Sequence, residues 1–324
     1  MTTAGWTSGP VVLGCGSFGG IGGARDLIGK GLDEAASLEA LDAAAGVGIT
    51  MLDTAERYAA GFSETVMGRW LAESDPSVTR LMRVTTKVAP GNLSGQSAPF
   101  DVAFIEPAVD ASLRRLGLDH VEWLLTHAPD DATPIEVTLE ALESIRSSGR
   151  CRHVGGCNLD VRQLDDALSA AERLGITGYE LVQNGHSLLQ PDGDAEVRRA
   201  CAERGLAYVA FSPLAGGVLT GKYRRGERPA PGTRLDLRPE GFDEMLTPSM
   251  FAALDELARH AAELGVSTGA LALAWLIHSD DVTALITGPA RTAPYVGLAA
   301  EAMRVELTAD LADRLTDLFR SAAR

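Results

Sequence analysis

Cysteine is scarce in this chain: four in 324 residues, with no Cys-x-x-Cys pair among Cys15, Cys151, Cys157 and Cys201. That argues against a disulfide framework or a cysteine-rich zinc module, so a reduced, cytoplasmic protein is expected. Positive charge is also in short supply. Lys and Arg total 29 against 44 Asp and Glu, a formal net charge of −15. Such a surface repels nucleic-acid phosphates and anionic lipid, so neither is an expected partner. No apolar run approaches the roughly 18 residues that a membrane-spanning helix needs. The opening MTTAGWTSGP lacks the cationic start and apolar core of a signal peptide. No Ser/Pro-rich linker, low-complexity tract or short-period repeat divides the chain. What is present is 45% hydrophobic and 23% charged, the make-up of a globular protein. Two features stand apart, 35 glycines and one stretch rich in arginine.

Short apolar runs alternate with Ala/Leu/Glu/Arg segments of helical period, which reads as successive βα units. Strands are expected at 11–16, 49–54, 83–89, 121–127, 151–158, 180–187, 207–213 and 283–288. Helices are expected near 33–46, 63–73, 101–117, 133–148, 161–174, 193–205, 249–264 and 270–278, and 292–303 and 308–322 close the chain. Asp33 reads as an N-cap. The Leu-Gly steps at 116–117, 174–175 and 264–265 read as helix ends.

Eight βα units have two common solutions, a closed barrel or an open doubly wound sheet. The open sheet binds dinucleotides through Gly-x-Gly-x-x-Gly, and Gly14-Cys15-Gly16-Ser17-Phe18-Gly19 fits that spacing. The motif also needs a helix at once and an acid about 20 residues on. Here a loop, GIGGARDLIGKG, follows, and Asp53 comes 39 residues after Gly14. The context favours a single (β/α)8 TIM barrel over residues 1–324. It would carry a long flap after its seventh strand and a C-terminal helical extension.

In such a barrel the active site forms at the carboxyl ends of the strands. Those ends are Gly16, Asp53, Lys87, His127, Asn158, Gln183, Ser212 and Gly288. Each has a plain structural reading. Asp53 could cap a helix, Lys87 could reach the rim, His127 could bond within a turn, and Tyr58 could pack in a loop. Together they form a proton-donating constellation. A phenol with a reference pKa near 10 is a poor acid at neutral pH, and a neighbouring ammonium held by a carboxylate is expected to lower it. No His-x-His strand end or cluster of acids is present, so no catalytic metal is expected.

These residues occur in segments that resemble the aldo-keto reductase superfamily, NAD(P)H-dependent carbonyl reductases on a (β/α)8 barrel. The segments are LGCGSFGG (13–20), GITMLDTAERY (48–58), FSETVMGRWL (62–71), TTKVAP (85–90) and LLTHAPD (124–130). GGCN (155–158), LVQNGHSLL (181–189), FSPLAGGVLTGKY (211–223) and ALALAWLI (270–277) continue the match in the family's order. The resemblance implies a catalytic tetrad: Tyr58 as proton donor, Lys87 lowering its pKa, Asp53 holding Lys87, and His127 orienting the carbonyl. It implies NADPH as cofactor, with NADH as the alternative, and a small-molecule carbonyl as substrate.

Cofactor contacts implied in the same way are Asn158, Cys157 and Gln183 at the carboxamide, Phe211 against the nicotinamide ring, and Ser212, Leu214, Gly216, Leu219 and Lys222 along the pyrophosphate. Lys222, Arg224, Arg225, Arg228, Arg234 and Arg238 lie within 17 residues that contain only Glu227 and Asp236 as acids. That run is either a solvated loop or a basic flap over an anionic dinucleotide. Phe18, Ile21, Arg25, Phe62 and Asn92 are candidates for the substrate pocket. The chain departs from the family's pattern at Cys157 (usually serine), Phe211 (commonly tyrosine) and His186 (frequently tyrosine). Thr287 takes the place of proline in the family's Ile-Pro-Gly run. Gly297-Leu298 replaces a Glu-Asn pair that grips adenine, leaving Arg291 as the nearest candidate for a 2′-phosphate. Two other functions fit the same barrel: a nucleotide-sensing regulatory protein, and an enzyme using bound cofactor in a redox-neutral step. Oligomeric state is not legible in the sequence.

Overall fold

A computed structural model describes residues 5–90, 99–240, 245–289 and 294–323. Asn92 and Arg291 lie outside the described residues. Eight parallel strands close into a barrel in sequence order. They are β1 (Val11–Gly14), β2 (Met51–Asp53), β3 (Arg83–Val88), β4 (Val121–Thr126), β5 (Cys151–Cys157), β6 (Leu181–Gly185), β7 (Ala207–Phe211) and β8 (Ala284–Thr287). All eight expected strands form, each a little shorter than its apolar run. Of the polar residues at their carboxyl ends, Asp53, Lys87 and Gln183 stay in the ladder, whereas His127, Asn158 and Ser212 lie just beyond it.

The major helices follow the expected segments, with ends set by local chemistry. The Asp33 carboxylate accepts from Ala36 N at 2.9 Å, capping Glu34–Gly46. Gly117, Gly175 and Gly265 adopt φ of 65°, 68° and 69°, the left-handed geometry that ends a helix and suits glycine. A single-turn helix at Pro76–Thr79 is an addition to the expected order. Asp75 caps it and Pro76 stands at its first position.

Two layers of core hold the barrel. Val12, Met51, Trp123, Leu125, Leu181, Val209 and Ile286 fill its interior, and a larger cluster packs strands against the surrounding helices. Gly155 on β5 is required by this packing. A Cβ there would lie 2.4 Å from Leu181 O and 2.8 Å from Leu125 Cδ2. Trp6, just before β1, packs against Trp123 with ring centroids 6.2 Å apart and planes tilted by 36°, joining the interior cluster at the end opposite the strand carboxyl termini. The segment after β7 is long, as expected. It contains a 3-10 turn at Ala215–Thr220 and a short helix at Arg234–Leu237 before the helix Pro248–Glu263. Pro294–Ala302 and Ala309–Ala322 form the C-terminal helices. Among the described residues no single helix is long and apolar enough to cross a membrane.

Candidate active site

Barrel register places four side chains at one point. Asp53 ends β2 and pairs with Gly14 and Thr85, Lys87 is the penultimate residue of β3, and His127 follows β4. Tyr58 comes from the loop after β2. Lys87 Nζ donates to Asp53 Oδ1 at 2.5 Å, to Thr54 O at 2.9 Å and to Tyr58 Oη at 3.3 Å. The His127 ring stands edge-on to Tyr58, with centroids 5.5 Å apart and planes at 82°. Lys87 and Asp53 are almost fully buried, so this is an ion pair inside the protein rather than at its rim.

The backbone is bent to bring these groups together. Ala59, Ala60 and Gly61 directly after Tyr58 have φ of 47°, 55° and 89°. Asn158, Ser212 and Ala215 at the ends of β5 and β7 are also left-handed, with φ of 59°, 56° and 47°. Non-glycine residues in this region cost on the order of 1 kcal/mol or more each, and such strain collects at functional sites. Here Asn158, Ser212 and Ala215 line one cleft and Ala59 and Ala60 follow Tyr58, which lines it too, while Asp194, also left-handed, precedes the helix Ala195–Arg204. The Tyr58 loop is tied down by Thr54 Oγ1, 2.9 Å from Ser63 Oγ, which in turn donates to Cys15 O at 3.0 Å.

Electrostatics correct one expectation. The Tyr58 phenol is pushed up to about 12, because burial outweighs the pull of Lys87. Removing a phenolate from water costs more than one ammonium, itself neutralised by Asp53, returns. His127 is pushed down to about 3 by burial, then by Lys87 and Arg57. Burial is the largest influence on the Lys87 ammonium and acts to lower it, but Asp53, Tyr58 and Cys157 together more than offset it and the net direction is up. At neutral pH the site therefore holds a neutral phenol, a neutral imidazole and a charged lysine.

A cleft of about 840 Å³ opens over this centre. Tyr58, Asp53, His127, Cys157, Asn158, Gln183, Phe211, Ser212, Leu214, Gly216 and Lys222 all line it, as does Ile21. Five expected residues do not, and one of them is Lys87, fully buried beside Asp53 and Tyr58. Phe18 is fully buried in the core. Leu219 is likewise buried, packed under its own turn. Phe62 lies beneath Gly19, where an added Cβ would come 2.4 Å from its ring. Arg25 begins a short 3-10 turn at the mouth and is absent from the lining.

The basic run after β7 divides. Lys222, Arg234 and Arg238 line the cleft, whereas Arg224, Arg225 and Arg228 are exposed away from it. Arg238 Nη2 meets Asp26 Oδ1 at 2.7 Å, joining this segment to the loop after β1. Lys30 and Thr233 also line the cleft and carry no signal in the sequence beyond lying in loops. His186 is buried outside the cleft, its Nδ1 3.2 Å from Arg198 Nη1 and its ring against Trp275. Leu298 packs toward Gly269 and Thr220.

The cleft suits a dinucleotide. Its volume falls within the range of small-molecule sites, and Ser17 Oγ and His127 Nδ1, both on lining residues, are buried without partners. Gly216 and Gly217, at φ of 64° and 91°, form a tight turn on which the Lys222 side chain folds. A cation beside such a turn fits an anionic group.

The sequence profile described as the Aldo/keto reductase family matches residues 10–319. An uncharacterized oxidoreductase of Bacillus subtilis, YrpG, is 30% identical over 296 residues, 89% of this chain and 88% of that protein. A probable voltage-gated potassium channel subunit beta of Arabidopsis thaliana is 30% identical over 246 residues, 75% of each chain. The structure of a glycerol dehydrogenase from Gluconobacter oxydans superposes with a TM-score of 0.79 at 25% identity, covering 97% of this chain and 92% of the other.

Proposed function

Because the chain belongs to the aldo/keto reductase family, an NAD(P)H-dependent group of oxidoreductases acting on small carbonyl compounds, we propose that it reduces an aldehyde or ketone to an alcohol with NADPH, taking the proton from Tyr58. The observation that carries this reading is the buried Lys87 Nζ bridging Asp53 and the phenolic oxygen of Tyr58, both of which line the cleft. When bound, the nicotinamide supplies the hydride. Asn158 and Gln183 would hold its carboxamide, Phe211 its ring, and Ser212, Gly216 and Lys222 the phosphates. NADH is the alternative cofactor.

Tyr58 keeps its proton at neutral pH, which is the form a donor needs. As negative charge builds on the substrate oxygen, the phenol hydrogen bonds to it and then transfers its proton. The phenolate left behind is stabilised by Lys87, which is already in place and needs no reorganisation. Asp53 holds the ammonium there. Neutral His127 offers a ring N–H to the same oxygen and orients the carbonyl without competing as an acid. These interactions strengthen as charge develops, so they favour the transition state over the ground state. Four unpaired, buried cysteines fit a cytoplasmic setting.

A nucleotide-sensing role is the second reading, supported by the likeness to a channel beta subunit. Following NADPH and NADH oxidation with a panel of aldehydes and ketones separates the two. Turnover is expected, and Tyr58→Phe should lower it by about 10²–10⁴-fold with folding intact. Tight cofactor binding without turnover of any carbonyl would favour the sensor.

A further inference from the structure

The Asp53 carboxylate uses both of its oxygens. Oδ1 accepts from Lys87, and Oδ2 accepts from Gln183 Nε2 at 2.8 Å. The donors come from β3 and β6, on different arcs of the barrel. Gln183 is itself buried, lines the cleft, and stands in register with Cys157 on β5 and Val209 on β7. Its orientation is not arbitrary. Only the amide nitrogen can face a carboxylate oxygen at this distance, so Oε1 is turned toward Cys157, whose thiol donates to it at 3.7 Å.

Lys87 alone would leave the carboxylate free to pivot about Oδ1. A second donor on Oδ2 removes that freedom, and a charge-assisted bond in a buried site holds its geometry well. The ammonium is thereby fixed against Tyr58. We propose that Gln183 is a positioning residue for proton transfer, acting through Asp53 and Lys87, as well as a group facing the cofactor. This rests on the reductase reading above. One amide would then join the cofactor's carboxamide site to the proton donor, so that its loss impairs the chemical step and not binding alone.

The test compares wild type, Gln183→Leu and Gln183→Glu from about pH 5 to 9. It measures kcat with para-nitrobenzaldehyde at saturating NADPH, NADPH affinity by fluorescence, and thermal unfolding of the cofactor-free proteins. Gln183→Leu should lose about tenfold or more in kcat at every pH. In Gln183→Glu the introduced carboxyl group, while protonated, can still donate to Asp53, so at the acid end this variant should recover part of the kcat that Gln183→Leu loses. As pH rises the shared proton is lost and two carboxylates face each other. The kcat of Gln183→Glu should then fall about tenfold or more, and its cofactor-free melting temperature should drop relative to wild type over the same interval. If both variants weaken NADPH binding while kcat stays unchanged across the range, the positioning role is refuted. If wild type reduces no carbonyl with either NADPH or NADH, the proposed function fails and the chemical step cannot depend on Gln183. The cofactor-free melting curves then isolate the contact, whose existence an unaltered Gln183→Glu profile would refute.

Discussion

Replacing Lys87 with methionine removes one charge 3.3 Å from the phenolic oxygen of Tyr58. Coulomb's law at an effective dielectric near 20 assigns that ammonium about 5 kcal/mol of stabilisation for a phenolate at this distance. Some of it is already cancelled by Asp53, 2.5 Å from the same nitrogen. A net loss of about 3–4 kcal/mol corresponds to a fall in kcat of two to three orders of magnitude. The substitution also strands a buried carboxylate, and removing one partner of a buried pair costs about 3–5 kcal/mol of stability. The double variant Asp53→Asn/Lys87→Met separates these effects, since it leaves no unpaired charge. Single-turnover carbonyl reduction and thermal unfolding should be measured on both. The single variant should melt several degrees below wild type, and the double variant should regain most of that stability while remaining slow. A double variant within about tenfold of wild-type kcat would show that the ammonium does not stabilise the transition state, and the argument from its position would fail.

Other consequences follow from the same geometry. With His127 near 3 and Tyr58 near 12, neither ring titrates between about pH 5 and 9, so kcat for reduction should be flat there. Above that range the phenol loses its proton, and below it His127 becomes charged; a bell-shaped profile centred near neutrality would contradict the assignment. His186 is pushed down to about 3 by burial, then by Arg198. The unfolded chain binds a proton at this histidine below about pH 6.5 while the folded chain does not, so stability falls as pH drops through that range. A slope of about 1 kcal/mol per pH unit is expected from this group alone, and His186→Gln should flatten denaturant midpoints measured between about pH 6.5 and 5. Asp26 and Arg238 join two loops at the cleft mouth. Both are partly exposed, so the pair is worth at most about 1 kcal/mol. Asp26→Lys should speed NADPH release in stopped-flow fluorescence by only a few-fold, and an unchanged or slower rate would mean the two loops do not gate the cofactor.

Much of the barrel was legible because the signals are local. Strand alternation and helical period repeat within ten residues, and Asp33 and the three Leu-Gly steps mark helix ends by their own hydrogen bonds and backbone angles. Motif order then placed Asp53, Tyr58, Lys87 and His127 at the barrel mouth. The substrate wall was harder to read. Phe18 and Phe62 are apolar residues in mouth loops, and whether such a ring faces a cleft or the core depends on packing from distant elements. Phe62 is covered by Gly19, and Phe18 turns inward beside Leu32, with which it forms an isolated bridge. Leu219 belongs to a turn that lines the cleft, yet its side chain is the part that anchors that turn to the core.

By itself the sequence determined the order of elements, the closed α/β architecture and the identity of the groups offered at each strand end. These depend on periodicity and side-chain chemistry, which neighbouring residues carry. Only the tertiary structure decided how those groups act on one another. It set Tyr58 upward rather than downward in pKa, because desolvation sums over every atom that excludes water from the site. It also brought Gln183 to Asp53 across 130 residues, since barrel closure and register, not spacing along the chain, set that distance.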